Sequence, residues 1–429
     1  MKRPLITTAI DIGTSKITTV VASRDETNNN LRVVGVASIA SKGVRKSQVV
    51  DIEDVIEAAT ESVEMAERMA GLSVKSATVS ISGIHIESQN SKGLVAVQDA
   101  GGEIVESDVN RVVDAARAIP LPNAREIIHV MPRFFLVDNQ EGIKDPVGMS
   151  GVRLEAEAHL ITGSSVNIKN LTKVMSEIGI DTEQLVFAGL ASAESVLTDT
   201  ERELGVVLVD IGGGTTSISV FVEGALAHSS VVPVGAKNIT NDIAIGLRVG
   251  LDTAESVKRA LPPDERLNRA LDPKNISAKK ATDEIDLAKF GIKDGPKKIS
   301  RKAVAEGIVR PRLNELFELV KQELSKASVL GKTPAGLVLT GGGALTYGIS
   351  ESARRVLGMQ SRIGEPLGLT GLIDEIKTPE FATVTGLLLL STKTDSKSAQ
   401  QLSLSKFSLN FNFGNLGKKL VDFVKSFLP

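Results

Sequence analysis

The sequence has no cysteine, no tryptophan and only one tyrosine in 429 residues. Without cysteine the chain can form no disulfide, no cysteine-ligated zinc site and no thiolate nucleophile. The few aromatic rings and the net charge of −2 argue against stacking on nucleobases and against a basic nucleic-acid-binding surface. Apolar runs are short as well: none approaches the roughly 18 residues of a membrane span, and the first is too short for a secretory signal. We therefore expect a cytosolic protein without a nucleic acid partner.

What the chain does have is the balance of a soluble globular protein, with 42% hydrophobic and 24% charged residues. Its length predicts two to four domains. Strand-like and helix-like patterns alternate along most of it, which predicts the α/β class. Residues 84–162 differ in texture: two strand-like runs, a helix and two more strands predict a small α+β module inserted into a larger domain.

Two segments of similar sequence each predict a strand, a tight turn and a second strand. They are Ala9–Val21 (AIDIGTSKITTVV) and Leu208–Val220 (LVDIGGGTTSISV). Each places one aspartate, Asp11 or Asp210, just before a turn rich in glycine and hydroxyl side chains. Glycine lets a turn approach an anion closely, and carboxylate oxygens suit Mg²⁺. The pair predicts a clamp for nucleotide phosphates, the alternative being two ordinary hairpins with polar turns.

Two further motifs favour the nucleotide interpretation. A strand runs into Gly341, Gly342 and Gly343, where the backbone could pass against a flat base or a phosphate. Glu255 and Lys258 lie three residues apart on one predicted helix face, where they could hydrogen-bond a ribose and a base edge. A solvated ion pair is the alternative for Glu255 and Lys258.

The last residues predict an amphipathic helix with a basic polar side. Its apolar face comprises Leu416, Leu420, Phe423, Val424 and Phe427, and its basic residues include Lys418 and Lys419. Such a helix could dock on its own domain, bind a partner or lie in the plane of a membrane. A Ser/Thr/Lys/Gln-rich linker at 392–405 argues against the first, and the Lys/Phe composition favours the third.

The order of these motifs resembles the phosphate-1, phosphate-2, adenosine and connecting segments of the actin/Hsp70/hexokinase superfamily. Within it, the sequence resembles the FtsA family of bacterial cell-division proteins over residues 5–429. The segments that carry this resemblance are 206–216 (VVLVDIGGGTT), 234–243 (VGAKNITNDI), 380–388 (EFATVTGLL), the insert at 84–162 and the tail. The resemblance implies an actin-like (ribonuclease H-like) two-lobed ATPase fold with an inserted small α+β, SHS2-like subdomain.

The resemblance also implies a division of the chain. The expected parts are a first lobe at 1–83, 163–203 and 367–391, the insert at 84–162, a second lobe at 204–239 and 306–366 with a subdomain at 240–305, a flexible linker at 392–405 and a membrane-targeting tail at 406–429.

Carried over position by position, the resemblance implies ATP and Mg²⁺ as cofactors. The implied nucleotide-binding residues are Asp11, Gly13, Thr14, Ser15, Lys16, Asp210, Gly212, Gly213, Gly214, Thr215, Glu255, Lys258, Gly341, Gly342 and Gly343. Asp11 and Asp210 would lie near the metal, and Glu194 with Asp210 would be the catalytic residues. Ser217 stands where relatives that hydrolyse ATP use a stronger base, and Ala236 replaces a glycine. The expected activity is therefore at most a slow ATPase.

The function that the resemblance implies is that of an adaptor in cell division. It would polymerise at the cytoplasmic face of the inner membrane, bind anionic lipid through the tail, and tether the C-terminal peptide of FtsZ near Arg301 and Lys302. Other division proteins would bind the insert. The alternatives are a PilM-like pilus-assembly adaptor, which would lack the linker and tail, and a superfamily kinase, which would need a larger acceptor pocket.

Overall fold

A computed structural model describes residues 5–24, 30–99, 101–261, 283–286, 298–372 and 374–404, with side chains to residue 393. The predicted tail at 406–429 lies outside these residues. The chain divides into two units, residues 1–390 and 391–429. Across the described ranges, no helix combines the length and apolar character needed to cross a bilayer.

The secondary structure alternates strands and helices along the first unit. The strands are β1 (Leu5–Ile12), β2 (Lys16–Arg24), β3 (Leu31–Ala40), β4 (Val44–Arg45), β5 (Gln48–Val49), β6 (Ser76–Ile81), β7 (Glu87–Ala96), β8 (Arg125–Val137), β9 (Gln140–Ile143), β10 (Arg153–Ser164), β11 (Asp181–Phe187), β12 (Val206–Ile211), β13 (Thr216–Val222), β14 (Ala225–Val232), β15 (Glu284–Asp286), β16 (Lys298–Ser300), β17 (Leu337–Thr340), β18 (Ser361–Ile363) and β19 (Leu369–Gly371). The α-helices are α1 (Ile52–Ala70), α2 (Glu106–Arg117), α3 (Ser165–Glu177), α4 (Ala188–Val196), α5 (Asp199–Leu204), α6 (Ala236–Leu247), α7 (Leu251–Ala260), α8 (Arg301–Val304), α9 (Arg310–Lys326), α10 (Ile349–Leu357) and α11 (Ala382–Leu404).

Two large sheets repeat one arrangement, as the internal sequence repeat suggests. The first sheet has the order β11-β6-β1-β2-β3-β19 and the second the order β14-β13-β12-β17-β18. In each, three antiparallel strands that follow one another in sequence continue into parallel strands on the side of the first of the three. The first apolar core is shared by both sheets, and the second core lies on the other face of the second sheet. Strand β12 contributes to both, because alternate side chains point to opposite faces: Val206 and Leu208 lie in the first core, Val207 and Val209 in the second. The predicted hairpins at 9–21 and 208–220 are confirmed as β1–β2 and β12–β13.

Helix α1 shows how local sequence sets the bounds of an element. Asp51 caps its first turn by accepting from the backbone N–H groups of Glu53 and Asp54. Gly71, with φ of 68°, ends it in the left-handed conformation. The sequence therefore sets both ends of this helix, and its buried face lies against β2 and β3 in the first core.

The insert forms a separate four-stranded sheet, order β7-β10-β8-β9, with α2 packed on it. Gly93 on β7 allows this packing, because a Cβ there would lie 2.2 Å from the carbonyl oxygen of Val112 on α2. The expectation of two strands before the helix is wrong: one strand, β7, covers both runs. The short strand β9 has no counterpart among the predicted elements.

The described part of the subdomain at 240–305 holds both helices and strands, because it includes the antiparallel pair β15–β16. These strands have three residues each, which is too short to show an alternation in sequence. A flexible linker was expected at 392–405, but residues 392–404 continue helix α11. No glycine or proline interrupts them, and extending an existing helix avoids the cost of nucleation.

Candidate functional site

The first hairpin brings Asp11 to the end of β1, where the chain turns. The turn closes through a hydrogen bond from the Gly13 N–H to the Lys16 carbonyl oxygen, 3.1 Å. The Ser80 hydroxyl, on the neighbouring strand, donates to Asp11 Oδ1 at 2.6 Å. Burial raises the pKa of Asp11, although the Ser80 hydrogen bond and the charge of Lys16 oppose the increase.

The second hairpin places Asp210 at the equivalent position of β12. Its carboxylate is buried and accepts hydrogen bonds from the hydroxyls of Ser192 on α4 and Thr383 on α11. Burial raises the pKa of Asp210 to about 6. The Ser192 hydrogen bond opposes this increase, and the negative charge of Asp11 adds to it. The two aspartates therefore lie close enough to interact, each without a basic ion-pair partner among the described contacts.

The turns of the two hairpins approach each other so closely that side chains would not fit. A Cβ on Gly213 would lie 2.0 Å from Ser15 Oγ, and one on Gly214 would lie 2.8 Å from Thr14 Oγ1. The turn at Gly212 closes like its counterpart, its N–H donating to the Thr215 carbonyl oxygen at 2.9 Å. The structure thus brings together two groups of predicted nucleotide-binding residues, those at 11–16 and those at 210–215.

Lys16 is held at one side of this junction. Its ammonium group lies 3.2 Å from Glu380 Oε2 and 3.7 Å from the centroid of the Phe381 ring. These contacts join the first hairpin to the segment that leads into α11.

The predicted glycine run lies against the second hairpin. Gly341 has φ of 79°, and a Cβ there would lie 2.3 Å from Asp210 Oδ1. A Cβ on Gly343 would meet the Ile211 side chain at 2.3 Å, whereas one on Gly342 would have 3.6 Å to its nearest neighbour. Two of the three glycines are therefore required by the packing of the protein's own backbone on β12.

Glu255 and Lys258 form a partly buried ion pair, and not the solvated ion pair that was the alternative interpretation. Lys258 Nζ lies 2.7 Å from Glu255 Oε2, and its side chain is only 10% exposed. Thr240 on α6 donates to the same carboxylate oxygen at 2.6 Å. Burial lowers the pKa of Lys258, and the neighbouring Glu255 opposes the decrease. Together α6 and α7 present a charged, hydrogen-bonded cluster beside the second hairpin.

Two residues at the junction were missed by the sequence analysis. Lys237 on α6 donates from Nζ to the Thr14 carbonyl oxygen at 2.8 Å, and burial lowers its pKa. Ser47, in the turn between β4 and β5, donates its N–H to Thr14 Oγ1 at 2.9 Å, and its hydroxyl lies 2.8 Å from Thr215 Oγ1. Lys237 lies in the 234–243 segment that carries the family resemblance, but neither Lys237 nor Ser47 belongs to a repeated pattern that could have indicated its contact.

Glu194 lies on α4, the helix that also carries Ser192. It forms an ion pair with Arg202 at 3.2 Å. It also stands two residues after Ser192, about 200° around helix α4 from the side chain that contacts Asp210. Ser217 is buried with its hydroxyl 3.2 Å from that of Ser82. The catalytic role of Glu194 stays a prediction.

Arg301 and Lys302 begin helix α8, next to the β15–β16 pair. Both backbone N–H groups bond to Asp283: Arg301 to the carbonyl oxygen at 2.7 Å and Lys302 to Oδ1 at 3.0 Å. The Lys302 side chain is exposed. The two cations are thus presented at one end of a helix, remote in sequence from the hairpins.

Comparison with known proteins bears on the whole chain. The family model described as "SHS2 domain inserted in FTSA" matches residues 83–162, and that of "Cell division protein FtsA" matches residues 207–386. Cell division protein FtsA of Pseudomonas aeruginosa is 39% identical over 387 residues, covering 90% of this chain and 89% of that protein. FtsA of Escherichia coli K12 is 38% identical and covers 88% of each chain. FtsA of Bacillus subtilis is 34% identical, covering 89% of this chain and 82% of that protein.

Solved structures show the fold. The PilM–PilN type IV pilus biogenesis complex matches with a TM-score of 0.61 at 18% identity, covering 90% of this chain and 98% of that one. MreB5 of Spiroplasma citri bound to ADP matches with 0.51 at 14% identity, covering 92% and 98%. The predicted two-lobed actin-like α/β fold with an SHS2 insert is confirmed. At these identities the likeness to PilM is one of fold alone, so the pilus-adaptor alternative is not favoured. By sequence similarity over about nine-tenths of its length, the chain belongs to the FtsA family of bacterial cell-division proteins.

Proposed function

We propose that this chain binds Mg²⁺·ATP between its two hairpins and acts as a nucleotide-dependent adaptor at the cytoplasmic face of the cell membrane, at the division site. The observation that carries the proposal is the pair of carboxylates, the partly buried Asp11 and the buried Asp210, at the turns of two hairpins that approach each other closely. Removing these charges from water raises the pKa of both aspartates, and a divalent cation would compensate the cost.

The residues of the junction suit a metal–phosphate ligand. Mg²⁺ is usually held by one or two carboxylates together with phosphate oxygens and waters, and Asp11 and Asp210 provide that number. The backbone turns at 13–16 and 212–215 would supply N–H and hydroxyl donors to the phosphates, which are the groups that anions need. The neighbour MreB 5 of Spiroplasma citri, solved bound to AMPPNP, has the same fold.

The nucleoside would lie between two sites already described. Glu255 and Lys258 would exchange part of their mutual pairing for hydrogen bonds to the ribose and base. The run Gly341–Gly343 would present backbone to the other side, with Gly342 the position at which a Cβ has room.

Hydrolysis would be slow. Glu194 is engaged by Arg202, and Ser217 is a hydroxyl, which is a weak base at neutral pH. Among the described side chains around Asp210, the groups in contact are hydroxyls: those of Ser192 and Thr383. The nucleotide would therefore act mainly as a ligand that sets conformation and assembly.

Membrane attachment is proposed from the sequence of the tail. Its apolar face and its lysines, Lys418 and Lys419, fit a helix lying in the plane of an anionic membrane. A single helix of this length binds weakly and folds only on its target. Polymerisation into filaments would align many tails and raise the overall affinity.

Division partners would engage two other surfaces. The exposed Lys302 and the neighbouring Arg301, at the start of α8, would attract the acidic C-terminal peptide of FtsZ. The inserted SHS2 domain would bind further division proteins.

Liposome co-sedimentation tests the membrane part of this proposal. Full-length protein should pellet with anionic vesicles, and more so with Mg²⁺·ATP, whereas a chain ending at Ser405 should stay in the supernatant. A full-length variant with Phe423→Glu, which keeps every lysine, should behave like the truncated chain. If the full-length protein stays in the supernatant with and without nucleotide, the membrane proposal is wrong.

Nucleotide binding is tested separately by calorimetric titration with Mg²⁺·ATP. Wild type should bind, and Asp11→Asn should bind at least about tenfold more weakly, since it removes a charge from the metal site. Equal affinities for both would contradict the assignment of Asp11 to the metal.

A further inference from the structure

The turn between β4 and β5 has an unusual backbone. Lys46 and Ser47 both have positive φ, 47° and 57°, although neither is glycine. The pairing of Arg45 with Gln48 makes this a two-residue hairpin, a turn that prefers Asn-Gly because both central residues are left-handed. Glycine at either position would relieve the strain. Lys46 and Ser47 carry side chains despite this backbone strain, which indicates a functional role for the turn.

Ser47 makes one hydrogen bond to each of the two hairpin turns of the candidate site. Its N–H donates to Thr14 Oγ1 at 2.9 Å, and its hydroxyl lies 2.8 Å from Thr215 Oγ1. Thr14 belongs to the first hairpin and Thr215 to the second, and both threonines are buried. One residue of a third element therefore connects the two turns of the candidate site.

Hydrogen bonds between the residues that flank β4 and β5 fix the position of this turn. The Gly43 carbonyl oxygen accepts from the N–H groups of Val50 at 2.8 Å and Asp51 at 3.1 Å. Asp51 is the N-cap of α1, which packs in the first core. The turn is thus carried by the first lobe, while Thr215 lies on the second. The Ser47–Thr215 contact accordingly spans the two lobes.

The chemistry of the turn suits an anion. Residues 41–50 contain no acidic side chain, and Lys42, Arg45 and Lys46 are exposed around the turn. A phosphate oxygen is a stronger acceptor than a threonine hydroxyl, so a phosphate placed between Thr14 and Thr215 would take over the donors of Ser47. Resting on the proposed nucleotide binding, we infer that the Lys46–Ser47 turn is a third phosphate-binding element, which contacts the terminal phosphate of a nucleoside triphosphate and links both lobes to it.

Removing the Ser47 hydroxyl should weaken the preference for a nucleoside triphosphate over a diphosphate, while the protein still binds both. Ser47→Ala and Ser47→Gly both remove the hydroxyl, and the glycine variant also removes the backbone strain, so a folding defect cannot account for its phenotype. Calorimetry with Mg²⁺·AMPPNP and Mg²⁺·ADP gives the ratio of the two dissociation constants. In both variants we expect the preference for the triphosphate to fall about tenfold, the effect of losing one hydrogen bond to a charged group.

Ser82→Ala is the matched control, because the Ser82 hydroxyl also makes a hydroxyl contact with the second lobe, at 3.2 Å from Ser217 Oγ. Its ratio should match wild type within about twofold. Ser47 variants that keep the wild-type ratio, or that change both affinities equally, overturn the inference and leave the proposed nucleotide binding intact. A wild-type protein that binds neither nucleotide overturns both.

Discussion

Asp210 combines deep burial with negative charge. Its carboxylate receives two hydroxyl hydrogen bonds, from Ser192 and Thr383, but no ion pair among the described contacts. Two neutral donors offset only part of the cost of removing a carboxylate from water. The neighbouring Asp11 adds repulsion. The fold therefore stores an electrostatic cost at this position, and binding of a cation would relieve it.

Asp210→Asn should stabilise the protein without ligand, in a pH-dependent manner. The folded-state pKa of about 6 lies above the ordinary value of 3.8, so the folded protein binds this proton more tightly than the unfolded chain. The resulting penalty is full above pH 6 and disappears as pH falls below about 4. We expect the variant to exceed wild type by on the order of 2 kcal/mol in unfolding free energy at pH 8 and by little at pH 4.

Urea denaturation across this pH range measures the difference. Asp374→Asn, which changes a carboxyl on an almost fully exposed side chain, is the control and should give a small difference at every pH. A gain for Asp210→Asn that is the same at pH 4 and pH 8 would mean that the stabilisation does not come from charge. If Mg²⁺·ATP binds as proposed, it should stabilise wild type and not the variant.

At the residue scale, the sequence revealed the groups that repeat and hid those that do not. Asp11 and Asp210 were found because two segments share a pattern, and the glycines because a run of three is conspicuous. Ser47 and Lys237 reach the junction from a separate hairpin and from a helix, through contacts between residues 33 to 223 positions apart. No local pattern encodes such a contact. The reason for the glycines also differed: Gly341 makes room for Asp210 itself.

At the scale of elements, helix α11 depends on one close approach. Its first turn carries Thr383, which bonds Asp210, and its second carries Gly386, which passes against α4. A Cβ on Gly386 would lie 1.7 Å from the carbonyl oxygen of Ala191. The two helices therefore pack backbone to backbone, and this distance sets where Thr383 and Ser192 meet the aspartate.

Gly386→Ala should separate α11 from α4. Alanine normally favours a helix over glycine by about 1 kcal/mol, but the clash with Ala191 reverses the sign, and overpacking of this kind costs on the order of 3 kcal/mol. Gly307→Ala is the control: it lies in the helical segment between α8 and α9, where an added Cβ would have no atom within 4 Å, and should be neutral or slightly stabilising. Thermal unfolding followed by circular dichroism compares the two. If both variants melt at the same temperature as wild type, the proposed backbone-to-backbone packing of α11 on α4 is contradicted.

Element prediction succeeded where periodicity was long and failed where it was short or interrupted. Helix α1 has nineteen residues, an Asp cap and a glycine stop, so both of its ends were predictable. Strands β15 and β16 have three residues each, which is too few to alternate. Polar composition suggested a linker at 392–404, but composition does not record that a helix already begun at Ala382 extends at low cost.

At the scale of the whole molecule, the insert covers the edge of the second sheet that would otherwise be exposed. Strand β14 ends the second sheet, and strands β7, β8 and β10 of the insert sheet lie against it. The N–H of Ser229 donates to Ser88 Oγ at 3.1 Å, and Asn90 Nδ2 donates to the Ala227 carbonyl oxygen at 3.3 Å. Edge strands left open invite pairing with other chains. The insert therefore joins the two lobes and also protects the second sheet.

His159 completes this contact as a neutral ring. Burial lowers its pKa to about 3. Its Nδ1 lies 2.6 Å from Asn90 Oδ1, an acceptor, so Nδ1 carries the proton and Nε2 accepts from Ser229 Oγ at 3.1 Å. Since the ring is already neutral at physiological pH, the contact should be insensitive to pH above about 4.

Asn90→Ala should loosen the insert from the second lobe. It removes the acceptor of a buried His159 N–H and the donor to Ala227, which costs on the order of 1–3 kcal/mol. Hydrogen exchange of peptides covering 225–232 and 87–96 should accelerate together, while β12 and β17 in the sheet interior exchange as in wild type. Lys144→Ala is the control: it removes an ion pair to Glu203 with both side chains more than half exposed, and should change exchange little. Faster exchange in 87–96 alone would mean that the insert loosens internally and that this edge contact does not hold the lobes together.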